Sequence, residues 1–182
     1  MEHLSILLLC LLSHGVGNVM SYSTGAPPTA CLELMPKHGR FAPEFSDPPY
    51  RILTDVVSIN GTQLIKIVLQ AIQVEEYSWK TIKGFVLQAR KLDSQELVGA
   101  FSFQDRRDNG MPGDIRYMGC EYGSSAAVTH TNKRPKTELY LTWEPSGYYE
   151  GDVVFVGTFV QSFNTFWIGV KSEQLRLTKS AG

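Results

Sequence analysis

The sequence has little net charge, few cysteines and no apolar run long enough to cross a membrane. Its 182 residues carry 17 Lys and Arg against 18 Asp and Glu, which gives a formal net charge of −1. Nucleic-acid binding needs a basic field for the phosphates, and membrane-lytic peptides are strongly cationic, so neither function is expected. The chain is therefore predicted to have no nucleic-acid partner and no membrane span.

The strongest apolar run is residues 6–12, at the N-terminus. It is too short for a bilayer, which needs about 20 apolar residues. Gly15 and Gly17 follow with the spacing of small residues that a signal peptidase requires. We predict a signal peptide at residues 1–17 and a secreted mature domain at residues 18–182. The segment before the run lacks the usual Lys or Arg, and a buried N-terminal strand or helix is the alternative.

Only two cysteines belong to the predicted mature chain. Cys10 lies in the signal peptide, which leaves Cys31 and Cys120. In an oxidising compartment they allow one intramolecular pairing, whose loop of roughly 90 residues would stabilise the fold by about 4–5 kcal/mol. Two free thiols or an intermolecular link are the alternatives. Neither cysteine has neighbouring Cys or His at the short spacings of structural zinc, so no metal is predicted.

Motifs of catalysis are absent as well. There is no Gly-x-Ser-x-Gly pattern, and His38 and His130 are the only histidines of the predicted mature chain. Ser124, Ser125 and Thr129 lie near His130 in sequence, but neighbours in a strand alternate between faces. We predict that both histidines bond turns or backbone, and that the chain is not an enzyme and holds no cofactor. A two-histidine metal site is the alternative, although it lacks a third ligand.

Short β-like runs separated by turn residues fill the rest of the chain. Residues 63–74 begin with strict alternation, whose apolar members are Ile65, Ile67, Leu69 and Ala71. The phase then slips to Ile72 and Val74, which predicts a bulge or a strand end. A helix is the alternative, because some of these residues also fit a helical face. The abundance of Ile and Val favours a strand.

The later runs complete an all-β pattern. Strands are predicted within residues 85–89, 97–103, 139–143, 153–160 and 166–170, and a polar loop or hairpin connection within 105–113. Seven or more short strands with frequent turns predict an all-β, immunoglobulin-like β-sandwich. No internal repeat or linker divides the chain, so one domain is expected. Trp143 lies at the inward phase of its run and is predicted to belong to the core.

Two segments are candidates for contact with a ligand or partner. Lys133, Arg134 and Lys136 form a short basic run that suits lipopolysaccharide, heparin or lipid headgroups. A solvated hairpin turn is the alternative. Tyr148 and Tyr149 lie among Pro and Gly residues, and aromatic side chains exposed in loops often contact a partner or a glycan.

A third surface feature is the sequence Asn60-Gly61-Thr62, which is an acceptor for N-glycosylation. In a secreted chain it predicts a glycoprotein with its glycan on Asn60, in a surface turn. An unoccupied sequon is the alternative.

The order of several short motifs resembles the reeler (reelin-type) domain family. The segments that carry the resemblance are YSTGAP at 22–27, AC at 30–31, MPKHG at 35–39, PPY at 48–50, GFVLQAR at 84–90, VGAF at 98–101, Cys120, AVTHT at 127–131, LTW at 141–143 and FWIGV at 166–170. The resemblance therefore covers almost the whole predicted mature chain. It implies that Cys31 and Cys120 form one disulfide.

Reeler domains occur within large extracellular proteins, within ferric-chelate reductase-like membrane proteins, and alone in small secreted proteins. This chain resembles the last group, which includes defence proteins of insects linked to innate immunity. Because it has no helices that could carry haem, reductase activity is not expected. The resemblance supplies no ligand site that could be transferred to particular residues.

Two functions are compatible with these observations. The first is a secreted innate-immune defence protein, antimicrobial in its strongest form, that binds microbial surface components through the loops of the sandwich. The alternative is an extracellular matrix or signalling module that binds an extracellular host protein and has no antimicrobial activity. The resemblance alone supplies the connection with defence.

Overall fold

The computed structural model describes residues 22–59, 62–75, 78–103, 113–120, 125–147 and 149–178. Apart from one 3₁₀ turn at Pro28–Ala30, the regular structure of these residues is β. The strands are β1 (Tyr50–Ile59), β2 (Thr62–Ala71), β3 (Gln73–Glu75), β4 (Ser78–Trp79), β5 (Gly84–Lys91), β6 (Ala100–Ser102), β7 (Ile115–Tyr117), β8 (Ala127–His130), β9 (Glu138–Glu144), β10 (Gly151–Ser162), β11 (Thr165–Lys171) and β12 (Leu175–Leu177).

Two antiparallel sheets form a sandwich. The four-stranded sheet has the order β1-β2-β9-β6. The six-stranded sheet has the order β11-β10-β5-β8-β7, with β12 paired to the start of β10. Within the described segments, β3 and β4 pair with each other and with no other strand. This architecture confirms the all-β sandwich predicted from the sequence.

The core lies between the two sheets. Its largest enclosed side chains are Trp143, Tyr50, Phe85, Phe101, Phe155 and Phe159. Trp143 packs edge-on against Phe155, and its Nε1–H donates to the carbonyl of Val98 at 3.0 Å. Gly99 lies against the indole with a φ of +69°, and a Cβ there would lie 2.2 Å from Trp143 Cζ2. The core position of Trp143 is confirmed, and close contact with its ring requires glycine at position 99.

Most of the run at residues 63–74 forms a strand, β2, and not a helix. Its alternating apolar residues are at most 1% exposed, namely Ile65, Ile67, Leu69 and Ala71. Lys66, at the opposite phase, is exposed. The strand ends at Ala71, before the position where the phase slips, so both the strand and its predicted end are confirmed.

Four strands of the two sheets were not predicted. Thr54, Asp55 and Ser58 interrupt the apolar pattern of β1, and β7 and β12 have only three residues each. β8 carries two polar residues among four buried positions. The run predicted at 97–103 is a strand only over Ala100–Ser102. Local patterns of three or four residues are too short to show alternation.

The N-terminal segment, which precedes β1 at residues 22–49, is extended, and its first part, residues 22–38, covers the outer face of the six-stranded sheet. Thr158 Oγ1 donates to the carbonyl of Leu34 at 2.6 Å, and Gln88 Nε2 donates to the carbonyl of Cys31 at 2.9 Å. Ala30 and Leu34 form a second buried cluster with outward-facing residues of β5, β8 and β10. β5 is therefore buried on both faces over its first six residues, which the alternation of its sequence did not reveal.

One disulfide joins this segment to the sheet region. Cys31 is bonded to Cys120, 89 residues further along the chain. The pairing implied by the family resemblance is therefore confirmed, and it attaches the N-terminal segment to the residues that follow β7.

Several predicted features lie outside the described residues. They are the signal peptide at 1–17, the glycosylation site Asn60, the candidate contact Tyr148 and all of the loop 105–113 except Gly113. Each stays a prediction. The described segments include no apolar helix of membrane-spanning length.

Candidate functional site

The predicted basic run lies in the connection between β8 and β9. β8 belongs to the six-stranded sheet and β9 to the four-stranded sheet, so the chain crosses here from one layer to the other. The hairpin interpretation of this run is therefore wrong, because a hairpin joins neighbouring strands of one sheet. We call residues 131–137 the basic loop.

Lys136 points into the basic loop rather than away from it. Its side chain is 5% exposed, and Nζ donates to the carbonyl of Arg134 at 2.7 Å, the carbonyl of Asn132 at 3.2 Å and Asn132 Oδ1 at 3.1 Å. Burial lowers the pKa of Lys136 from its ordinary value. The three acceptors use all the donors of the ammonium group. Lys136 was predicted to contact a ligand, but here it holds the loop together.

Asp114 ties the basic loop to the start of β7. Its Oδ1 accepts from Asn132 Nδ2 at 2.9 Å and from Arg134 at 3.0 Å, and it lies 3.6 Å from Lys136 Nζ. Burial alone would raise the pKa of Asp114, but the hydrogen bond from Asn132 and the two cations outweigh it and hold that pKa below its ordinary value. The carboxylate is therefore ionised and anchors the loop at neutral pH.

Lys133 and Arg134 are the members of the run that face solvent. The side chain of Arg134 is 53% exposed even though its guanidinium contacts Asp114. Residues 131–137 contain three cations and no carboxylate, so the basic loop itself carries positive formal charge. The loop therefore presents positive charge on a backbone that is already ordered, which lowers the entropy lost when an anion binds.

Tyr149 lies at the other end of the sandwich. It follows β9, whereas the basic loop precedes it, so the length of that strand, about 20 Å, separates the two candidates. The phenol donates to the carbonyl of Asp152 at 3.2 Å, and the Lys91 ammonium lies 5.5 Å from the ring centroid. Burial raises the pKa of Tyr149. The two predicted contact regions therefore do not form one site.

His130 bonds backbone on both sides of its ring. Nδ1 accepts from the N–H of Phe85 at 3.1 Å, and Nε2 lies 3.2 Å from the carbonyl of Tyr22. These contacts require the neutral tautomer with hydrogen on Nε2. Burial lowers the pKa of His130, which favours that neutral form. The ring joins the N-terminal segment to β5, in agreement with the structural role predicted for it.

His38 lies in the N-terminal segment and stacks on Phe163, with ring centroids 4.8 Å apart. Burial lowers the pKa of His38. His38 and His130 both line a small cavity of about 40 Å³ beneath the segment, which is enough for about one water molecule. Both ring nitrogens of His130 already contact backbone, and the described residues contain no group of three His, Cys, Asp or Glu side chains that could hold a metal.

A groove of about 930 Å³ borders the outer face of the four-stranded sheet, and the sequence analysis did not identify it. Leu53, Val68 and Tyr140 are cross-strand neighbours on β1, β2 and β9, and they form an apolar row on this face. Leu53 is 43% exposed and Tyr140 64% exposed. The row was detectable only for β2 and β9, because β1 was not predicted to be a strand.

Comparison with protein families shows the family of this chain. The Reeler domain family matches residues 29–182. This chain belongs to the Reeler domain family. The family resemblance noted in the sequence is therefore confirmed over most of the chain.

Relatives of this reeler domain include small proteins of similar length. It is 33% identical over 159 residues to "Putative defense protein" of Bombyx mori, with 85% of each chain covered. It is 32% identical over 167 residues to "Putative defense protein 2" of Antheraea mylitta, covering 86% of this chain and 91% of the relative. It is also 31% identical to "Putative ferric-chelate reductase 1" of Danio rerio, but spans only 27% of that protein. The reductase name therefore describes a much longer protein.

Solved structures agree with the fold. The crystal structure of the human F-spondin reeler domain superposes with a TM-score of 0.57 at 16% identity, covering 76% of this chain and 95% of the other. The crystal structure of the Reelin-N domain of F-spondin superposes with a TM-score of 0.56 at 15% identity, with 76% and 93% covered. At these identities the similarity establishes the fold alone.

Proposed function

We propose that this reeler domain is a secreted defence protein that acts by binding, and that the basic loop recognises anionic groups of microbial surfaces. The observation that carries the proposal is the ordered display of Lys133 and Arg134 on a loop held by the buried Lys136 and the half-buried Asp114. The names of the Bombyx mori and Antheraea mylitta relatives support the connection with defence. Antimicrobial activity would be a consequence of such binding.

The chemistry of the loop favours anionic ligands. Lysine and arginine bind phosphate and carboxylate through charge-assisted hydrogen bonds. The net charge of the whole chain is close to zero, so attraction at long range is weak and contact depends on this local group of cations. Phosphorylated lipopolysaccharide is therefore the first ligand to test, and neutral β-glucan is the matched negative ligand.

The experiment is a binding titration of the secreted protein on immobilised lipopolysaccharide, peptidoglycan and β-glucan at several salt concentrations. The double variant Lys133→Gln and Arg134→Gln should lose most of its binding to lipopolysaccharide. The control is Lys171→Gln and Arg176→Gln, which also removes one exposed lysine and one exposed arginine. Equal binding by both double variants, or equal binding to β-glucan, would contradict the proposal.

The uncovered face of the four-stranded sheet favours a second candidate, an extracellular module that binds a host protein. Its apolar row of Leu53, Val68 and Tyr140 is flanked by charged residues, which is the composition of many protein interfaces. Tyr140→Ser tests this function separately. Binding to a host matrix protein that is lost in Tyr140→Ser and kept in the Lys133/Arg134 double variant would favour the second candidate.

A further inference from the structure

Among the described residues, the edge of β1 is a long and regular strand edge without a partner strand. β1 is the outermost strand of the four-stranded sheet, and within the described segments its one neighbour in that sheet is β2. All ten residues from Tyr50 to Ile59 pair with β2 in one unbroken register, without a bulge. The strand therefore presents a straight row of backbone groups along its outer edge.

The pairing with β2 shows which backbone groups point outward. The N–H of Ile72 donates to the carbonyl of Pro49 at 2.9 Å, so Pro49 and Ile72 form a hydrogen-bonded pair of the antiparallel ladder. Such pairs alternate along an antiparallel ladder, so the odd-numbered residues of β1 bond β2. The even-numbered residues, from Tyr50 to Ser58, then point their N–H and C=O groups away from the sheet. Among the described residues, none of these groups has a backbone partner.

This edge has only part of the usual protection against pairing. Proteins commonly protect an exposed edge strand with a bulge, a proline, charged side chains, an inward-pointing charge or a covering loop, and of these β1 has the exposed charges of Arg51 and Asp55. Residues 50–59 contain no proline and no lysine. Leu53 is 43% exposed and Val56 is 47% exposed, one on each face of the strand. The edge is therefore suited to another extended strand.

Charge complementarity indicates that the strand best suited to this edge is β1 of a second copy of the protein. Arg51 and Asp55 are exposed on the same face, two residues before and two residues after Leu53. If two copies pair antiparallel with Leu53 on a two-fold axis, each Arg51 faces the Asp55 of the other copy. Cross-strand pairs of opposite charge stabilise a sheet. Within the part of the chain that the structure describes, no hydrogen bond or ion pair holds the side chain of Arg51 or Asp55.

The same register satisfies the backbone. It places Ile52 opposite Thr54 of the second copy, and Tyr50 opposite Val56. These are all even-numbered residues, whose N–H and C=O groups point outward, so each such pair can exchange two hydrogen bonds. Leu53 then meets its symmetry mate in a pair without backbone hydrogen bonds, where side chains lie closest.

We propose that this protein forms a symmetric homodimer in which the two β1 strands join their four-stranded sheets into one continuous sheet. The interface is isologous, as expected of a two-fold dimer. It extends the apolar row of Leu53, Val68 and Tyr140 without interruption across both copies. The proposal does not depend on the basic loop, which lies outside β1.

The register can be tested by cross-linking of the full secreted protein. Leu53→Cys should form an intermolecular disulfide under mild oxidation, because the two Cα atoms would lie about 4.5 Å apart, within the range for a disulfide. Arg51→Cys and Asp55→Cys alone should not, because each would lie about 13 Å from its own mate. A mixture of these two variants should form the mixed dimer. Dimers that cross-link equally well at all three positions would overturn the register.

The charges can be tested by sedimentation over about 1 µM to 1 mM protein. Arg51→Glu should weaken the dimer about tenfold or more, because two attractive pairs become repulsive. The reversal Arg51→Glu with Asp55→Arg should restore association to near the wild-type level. Lys171→Glu, an exposed reversal on β11, should change nothing. A wild-type protein that stays monomeric, including one that instead binds an extended segment of another protein, would overturn the proposal, as would a dimer indifferent to Arg51→Glu.

Discussion

The two sheets of this sandwich differ in what lies on their outer faces. The outer face of the six-stranded sheet is covered by the N-terminal segment, and its residues Gln88, Thr129 and Thr158 are at most 1% exposed. The outer face of the four-stranded sheet carries exposed side chains such as Tyr140 and Lys66. One sheet is therefore buried on both faces and the other on one face only.

The two outer faces also differ in the hydrogen-bond partners of their polar side chains. The N-terminal segment contains little regular structure, so its carbonyl groups need donors from elsewhere. The covered sheet supplies them: Gln88 Nε2 bonds the carbonyl of Cys31, Thr158 Oγ1 bonds that of Leu34, and Arg116 Nε bonds that of Thr24. On the uncovered sheet, outward positions such as Lys66 and Glu138 hold charges that water can solvate. Fully buried, outward-facing Gln and Thr side chains that bond irregular backbone thus distinguish the covered face.

The largest effect should come from the core that both sheets share. Trp143→Ala should lower the free energy of unfolding by about 3–5 kcal/mol, because it empties an enclosed site and removes the hydrogen bond to Val98. Chemical denaturation measures the change. Trp143→Phe should cost less because it keeps most of the packing. A near-neutral Trp143→Ala would mean that the sheets do not depend on this contact.

Removal of the disulfide should affect the two outer faces differently. The double variant Cys31→Ser and Cys120→Ser should lose about 2–5 kcal/mol of stability, because a long loop is no longer closed in the unfolded chain. Hydrogen exchange should rise most in residues 22–38 and in the outer face that they cover. The β1–β2 ladder should keep its protection relative to the rest. An equal rise in hydrogen exchange in both sheets would contradict the proposed difference between their outer faces.

A matched pair of valines tests the comparison at single residues. Val154→Ala, on the covered face, should cost about 1–2 kcal/mol, because a 3% exposed side chain leaves a cavity. Val68→Ala, on the half-buried outer face of β2, should cost less than about 0.5 kcal/mol. Thermal or chemical unfolding of both variants gives the difference. Equal costs would show that the four-stranded sheet is also covered in solution.

Acid should weaken the covered face through His130. Burial lowers the pKa of His130 in the folded protein, whereas the unfolded chain titrates near its ordinary value of about 6.5. The stabilisation is therefore complete above that value and declines as the pH falls through it, because the unfolded state then binds more protons. His130→Asn should flatten this part of the pH dependence of Tm.

His38 needs a control in the same experiment because burial lowers its pKa too. His38→Gln should remove only its own part of the pH dependence and leave the part due to His130. If the Tm of the wild type and the Tm of His130→Asn changed equally between pH 7.5 and 5.5, the role assigned to His130 would be wrong.

Long, regular strands were predictable because alternation shows itself over several residues. β2, β5, β9, β10 and β11 all lie where the pattern placed them. β1 was missed although it is ten residues long, since Asp55 breaks its apolar pattern and edge position permits that residue. The basic run was recognised, but not that Asp114, which is 22 residues away in the sequence, ties this loop to the start of β7.

The sequence by itself determined the alternation of the long strands, the core position of Trp143 and, through the family resemblance, the pairing of Cys31 with Cys120. These follow from period-two patterns and from motifs that can be read along the chain. Only the tertiary structure decided which sheet the N-terminal segment covers, that the basic loop and Tyr149 lie at opposite ends, and that β1 has an open edge. Those features depend on contacts between residues far apart in sequence, and no local pattern specifies which distant segments meet.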